Sequence, residues 1–303
     1  MTANDSQLEK IAVFPKCFMD DLCITRRLSL FEWIEMASSL GVDGLELYPG
    51  FFTSLEPEYL SDIRSALRKH QLAMPMLCAS PDFTQPDPAK RKAEIEKHKR
   101  MIELVDFFAA AAPRTCRVLS GQRRPEISEE QGIEMVVDSI NQLLPYAQEH
   151  GVILAIENHY KDNYWIYPEF AQHLTVFAHI VQAIDSPWFG VNYDPSNALL
   201  AGEDPLQVLD AVKERVVSMH ASDRRLQPGY TIEDLRAEED GPGYASILSH
   251  GEIGTGLNDF ATIFQVLKAA GFHGWISIED GVNGLAELQR SVDFLRKILS
   301  KKN

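Results

Sequence analysis

The chain has 303 residues, 45% of them hydrophobic and 24% charged, enough for one large core of barrel size. With 44 acidic against 29 basic residues the net charge is −15, and a surface that acidic repels a phosphate backbone, which excludes nucleic acid as the expected partner. The four cysteines, Cys17, Cys23, Cys78 and Cys116, form no CxxC pair, which argues against a disulfide framework or a thiolate zinc site.

The polar, acidic N-terminus MTANDSQLEK lacks an apolar signal-peptide core, and apolar runs stay far short of the roughly 20 residues a membrane helix needs. A cytoplasmic protein with no membrane partner is the expectation, with homo-oligomerisation left open.

In chain order, the first predicted strand is Ile11–Phe14, followed by an amphipathic helix over Leu30–Leu40 with Phe31, Ile34 and Leu40 on its apolar face. Strands are predicted at Gly44–Leu47, Leu72–Leu77 and Thr115–Leu119. A helix over Glu129–Glu149 repeats Ile133, Val136, Val137, Ile140 and Leu144. Further strands follow at Val152–Glu157, Phe189–Asn192, Val216–His220 and Trp275–Glu279, with helices at Phe260–Ala270 and Leu285–Leu299. The strands are apolar without clean alternation, as strands buried on both faces are. Gly41, Gly151 and Gly271 each stand between a helix and a strand, where a helix-stopping glycine belongs.

Eight strand–helix units point to an α/β (β/α)8 TIM barrel spanning 1–303 as a single domain. The rival open sheet expects a glycine-rich phosphate loop after its first strand, and Phe14-Pro15-Lys16-Cys17 is not one. One long polar stretch at 221–256, with Pro228, Gly229, Gly241, Pro242 and Gly243, reads as an irregular loop over the active-site mouth.

Four strands end in a residue that can bind a metal: Glu157, Asp194, His220 and Glu279. Singly, each reads equally well as a helix cap, a turn former or a core histidine. Together, on consecutive strands, they would gather on one arc of one mouth. Carboxylates crowded in that way repel unless a cation lies among them. Oxygen donors with one imidazole suit a divalent ion, Mn²⁺ first, then Mg²⁺ or Co²⁺, with Zn²⁺ also compatible.

The segments GVDGLELY (41–48), AIENHY (155–160), NYDPSN (192–197), SMHASD (218–223), HGEIGTG (250–256) and SIEDG (277–281) carry a resemblance over nearly the whole chain. The sequence resembles the xylose-isomerase-like sugar phosphate isomerase/epimerase superfamily. The resemblance implies one divalent ion held by Glu157, Asp194, His220 and Glu279, chelating two oxygens of a carbohydrate substrate. It also implies proton transfer by Glu157 and Glu279 through a metal-stabilised enediolate. An isomerase or epimerase of a sugar, sugar phosphate or keto-sugar is the first expectation, and a dehydratase of a keto-inositol or related keto-sugar the alternative.

Glu46, His159, Lys161, Asn197, Arg224 and His250 are the candidate substrate contacts, and Trp165 a candidate wall of the pocket. Some epimerase relatives carry histidine where Asn197 stands. The DNA-repair endonucleases of the superfamily hold extra metals with extra histidines. Leu77-Cys78-Ala79 and Leu119-Ser120-Gly121 supply none, which argues against that activity.

Overall fold

In a computed structural model, the described residues are 10–108, 113–162, 164–237, 246–279 and 281–300. The strands are β1 (Ile11–Val13), β2 (Gly44–Leu45), β3 (Met76–Leu77), β4 (Thr115–Val118), β5 (Ile153–Glu157), β6 (Phe189–Tyr193), β7 (Val216–Ala221), β8 (Arg224–Leu226), β9 (Leu248–His250) and β10 (Trp275–Ile278). Eight of them form one parallel sheet in the order β2-β1-β10-β7-β6-β5-β4-β3. Bridges between Gly44 and Ala73 and between Leu47 and Leu77 join its two ends into a nearly closed barrel. Helices alternate with these strands, among them Leu30–Ala37, Pro57–Lys69, Pro88–Phe108, Glu129–Glu149, Leu174–Ala183, Phe260–Ala269 and Leu285–Leu299. This is a TIM barrel.

The strands form where apolar runs can be buried on both faces. Ile11, Val13, Leu45, Met76, Leu77, Cys116, Val118, Leu154, Ile156, Val191, Met219 and Ile278 all belong to one buried cluster with the inner faces of the helices. The seam between β2 and β3 is the thinnest part. The expected strand over Leu72–Leu77 shortens to Met76–Leu77, because Pro75 has no N–H to give to a ladder.

The segment after β7 differs from the irregular loop expected at 221–256. Its flanks pair as an antiparallel ribbon, Arg224 with His250, Arg225 with Ser249 and Leu226 with Leu248. A helix, Ile232–Ala237, lies between the two strands. Leu235, Ile247 and Leu248 pack with Leu199 and Leu200, giving this ribbon a small apolar core of its own. The expected turn at Gly241, Pro242 and Gly243 lies outside the described residues. Among the described residues, the exposed large apolar side chains Ile24, Leu55, Tyr164, Ile166, Tyr230, Leu257 and Val282 all follow a barrel strand and precede the next barrel helix. They ring the same end of the barrel as the candidate site. No helix among the described residues is long and apolar enough to cross a membrane.

Candidate metal centre and active-site cleft

Glu157 is the last residue of β5, Asp194 follows β6, His220 lies near the end of β7 and Glu279 follows β10. All four are buried, and one donor atom from each lies within 4.8 Å of the others. The strand register produces this convergence: His220 pairs with Ser277, two residues before Glu279, and Glu157 pairs with Asn192, two before Asp194. Alternation along a strand then sends 220 and 279, and likewise 157 and 194, to the same face of the sheet.

Asn158 extends the β5–β6 pairing past the last backbone pair. Its Nδ2 donates to the Asp194 carbonyl at 2.7 Å and its Oδ1 accepts from the Asp194 N–H at 2.8 Å. That double bond to the backbone holds Asp194 level with Glu157. Asp194 also caps the helix Pro195–Leu200. Its Oδ1 accepts from Ser196 N at 2.7 Å, Asn197 N at 3.2 Å and Ser222 Oγ at 2.6 Å. Cap and candidate ligand are thus one side chain, with Oδ1 spent on the cap and Oδ2 left for an ion.

His220 is held on both sides of its ring. Nδ1 lies 3.1 Å from Glu157 Oε1 and 3.4 Å from Glu279 Oε2, inside the cluster. Nε2 lies 2.9 Å from Glu46 Oε2, which also accepts from Cys78 Sγ at 3.3 Å. In place of the mouth position expected from the sequence, Glu46 therefore sits behind the imidazole. A carboxylate there holds a proton on Nε2, which leaves Nδ1 as the nitrogen that faces the cluster, donating to Glu157 Oε1 while the ring is protonated and able to offer its lone pair to a cation once that proton is displaced.

Arg117 on β4 was not singled out from the sequence. Its Nη1 donates to Glu157 Oε2 at 2.7 Å and lies 3.8 Å from Glu279 Oε1. Its Nε and Nη2 are tied to Ala79 O at 3.2 Å and Ser80 Oγ at 3.1 Å. Asn197 Nδ2 donates to Glu157 Oε1 at 3.1 Å, so Asn197 serves a carboxylate of the cluster. Lys16 Nζ stands 3.9 Å from Glu279 Oε2.

These contacts divide the acids. Burial pushes Glu157 up, but His220 and Arg117 outweigh it and hold the carboxyl down at about 2. Burial opposes ionisation of Glu279 too, and Lys16 and His220 overcome it, holding that group well below the usual carboxylate range. Asp194 is raised to about 6 by burial and by the charges of Glu279 and Glu157. Burial lowers His220, yet Glu46, Glu157 and Glu279 hold it well above its ordinary value. Three carboxylates and an imidazole that attract positive charge this strongly are a donor set for a divalent cation, and the free Asp194 Oδ2 fits that reading.

A cleft opens above the cluster, lined by Phe14, Lys16, Met19, Tyr48, Arg117, His159, Tyr160, Lys161, Asp162, Tyr164 and Glu279. Glu279 borders it and Glu157, fully buried, does not. Two of the six candidate substrate contacts, His159 and Lys161, are in its wall. His159 stacks on Tyr160, with ring centroids 5.0 Å apart, and its Nδ1 lies 3.8 Å from Glu169 Oε2. Glu169 Oε1 in turn accepts from Ser120 N at 2.6 Å and Ser120 Oγ at 2.5 Å. Burial lowers His159, but Glu157 and Glu169 outweigh it and raise the ring above its ordinary value. Tyr48, Tyr160 and Tyr164 form the aromatic wall, and Trp165 is not part of it.

The remaining two candidates meet each other. Arg224 Nη1 lies 2.5 Å from His250 Nδ1 across the β8–β9 ribbon, and neither residue lines the cleft. Beside them Asp223 pins the glycine turn. Its carboxylate accepts from the backbone N–H of Arg224 at 3.0 Å, Gly254 at 2.9 Å, Gly256 at 2.8 Å and Asn258 at 3.2 Å. A side chain at 256 would strike it, which explains the glycine there.

The family model described as xylose isomerase-like TIM barrel matches residues 34–298. Among curated proteins, the inosose dehydratase of Geobacillus thermodenitrificans (strain NG80-2) is 24% identical over 160 residues, covering 52% of this chain and 49% of that protein. The chain thus spans about half the length of this relative. Two solved structures share the fold. A xylose isomerase-like TIM barrel protein from Mycobacterium smegmatis in complex with magnesium has a TM-score of 0.73 at 14% identity, covering 96% of each chain. D-psicose 3-epimerase with D-tagatose from Clostridium cellulolyticum H10 has a TM-score of 0.71 at 14% identity, covering 96% of this chain and 99% of its own. With the barrel, the buried Glu–Asp–His–Glu cluster and this match in hand, the chain belongs to the xylose isomerase-like TIM barrel family.

Proposed function

We propose that the protein is a divalent-metal-dependent lyase that removes water from a hydroxylated ketone of the keto-inositol or keto-sugar class. Glu157, Asp194, His220 and Glu279 are the proposed ligands, with Mn²⁺ or Mg²⁺ the ions that suit three carboxylates and one imidazole. When bound, the ion would supply Lewis-acid polarisation of the substrate's carbonyl oxygen.

One observation carries the choice of reaction. Both oxygens of Glu157 are already hydrogen-bonded, Oε2 to Arg117 and Oε1 to Asn197 and His220, and the group lies below the cleft. Inverting a centre needs two available bases on opposite faces. Two carboxylates line the cleft, Asp162 in the loop after β5 and Glu279 of the quartet, and of these we pair Glu279 with the wall's imidazole, His159. Their environments push them apart: Glu279 is held ionised and His159 is held toward protonation. That is a base and an acid. Glu279 takes the proton next to the carbonyl; as the C–H pair becomes the C=C bond, the β C–O bond breaks and His159 protonates the departing hydroxyl as water. Glu169 orients His159, and Lys161 contacts substrate hydroxyls. The inosose dehydratase relative is in keeping with this outcome.

The isomerase or epimerase reading rests on the same quartet and on the second glutamate within it. It requires Glu157 to leave Arg117 and Asn197 during turnover. Incubation with keto-inositols and ketoses plus Mn²⁺ in D₂O should put deuterium at carbon for either reaction, so the skeleton of the product separates the two. Elimination gives a product lighter by one water. An epimer or isomer of the substrate, with no water lost, overturns the lyase assignment.

A further inference from the structure

A second hollow opens beside the first. It is walled by Tyr48, Pro49, Ala79, Ser80, Pro81, Glu94, Lys97, His98 and Met101. Its walls come from the segments that follow β2 and β3, which lie at the same end of the barrel as the cleft, and from the middle of the helix Pro88–Phe108. Tyr48 is common to both hollows. Arg117 joins them as well: it lines the first, while its Nε and Nη2 bond to Ala79 and Ser80 in the wall of the second. One tyrosine ring and one fixed guanidinium thus separate two adjoining hollows.

We infer that the second hollow is a subsite for another sugar ring, joined through a glycosidic bond to the keto ring that reacts in the first. The walls match that chemistry. Pro49, Pro81 and Met101 offer apolar faces for ring C–H groups, while Ser80, Glu94 and Lys97 offer donors and acceptors for hydroxyls at the rim. A purely apolar substituent would leave Glu94 and Lys97 unused, and an anionic one would meet the Glu94 carboxylate. Lys97 Nζ is only 4.0 Å from Glu94 Oε2, so the two charges present a neutral, hydrogen-bonding edge. The inference rests on the proposed reading in placing a keto ring in the first hollow.

The test compares a disaccharide oxidised to a ketone in one ring with the corresponding free keto-hexose, using the full chain loaded with Mn²⁺. Lys97 is largely exposed, so Lys97→Trp fills the hollow from a position that tolerates substitution; Glu94→Ala removes a polar contact. The subsite predicts a kcat/KM at least about tenfold higher for the disaccharide, worth about 1.4 kcal/mol. It predicts that both variants erase this preference, mainly through KM, while leaving turnover of the free keto-hexose unchanged. Equal kcat/KM for the two substrates, or a preference that survives both variants, overturns the subsite. If neither compound turns over, the reaction assignment fails, and calorimetry with the unoxidised disaccharide decides the subsite separately. Binding to the wild type that Lys97→Trp abolishes supports it, and no binding to the wild type overturns it.

Discussion

Asp194 shows how one residue can satisfy two readings. Its sequence context, a carboxylate between a strand and a proline, suits a helix cap as well as a ligand, and it caps the helix with one oxygen while the other remains for an ion. Glu46 and His220 make a second pairing of this kind, because a carboxylate on Nε2 fixes which nitrogen faces the cluster. Replacing Glu46 by Gln should therefore weaken divalent-ion affinity about 10- to 100-fold, read by calorimetric titration, with little change in secondary structure. An unchanged affinity would remove Glu46 from the metal centre. Arg117, Asn158 and Glu169 were not legible beforehand, for different reasons. Arg117 left a trace, a charge inside the otherwise buried run Thr115–Val118. The roles of Asn158 and Glu169 depend on partners 36 and 49 residues away, which no local pattern displays.

At the scale of elements, the strand-end positions were readable because period-two alternation and parallel register leave few choices for where such side chains go. The ribbon β8–β9 was hidden because each strand has three residues and their pairing spans the length of the loop. Asp223 ties that ribbon to the turn at 254–258, so Asp223→Ala should speed amide exchange at Gly254, Gly256 and Asn258 without altering exchange in β5 or β6. Equal protection in the variant would contradict the pinning role.

A separate element carries a pH signature. His98, on the helix Pro88–Phe108, is buried beside Cys116, with Nε2 3.5 Å from Sγ, and burial lowers it to about 3. The folded value lies below the ordinary 6.5, so the unfolded chain takes up the proton first. Stability from this group is complete above about pH 6.5 and falls as the pH drops toward 3, with a slope of about 1.4 kcal/mol per pH unit. Urea midpoints measured at about pH 7 and pH 5 should differ by less in His98→Gln than in the wild type. An identical difference in both proteins would show that His98 does not set it.

Over the whole molecule, the barrel was the most legible feature, since eight repeats of strand and helix leave little room for another architecture. The barrel's closure was less legible: only isolated bridges join β2 to β3. The cluster of four buried ionisable side chains is a candidate ion site that the folded state assembles and the unfolded chain does not. Mn²⁺ at a hundredfold excess over its dissociation constant should therefore stabilise the fold by about 2.7 kcal/mol, seen as a higher Tm. Asp194→Asn should lose most of that gain, and an equal gain in the variant would place the stabilising ion elsewhere.

A crystal structure of the Mn²⁺-loaded protein, with anomalous scattering recorded at the manganese edge, tests the proposed metal centre most directly. One strong peak is expected, bounded by Glu157, Asp194 Oδ2, His220 Nδ1 and Glu279, with Glu46 still bonded to Nε2. A peak on the other side of the imidazole between Glu46 and Cys78, or none at the four strand ends, would contradict it.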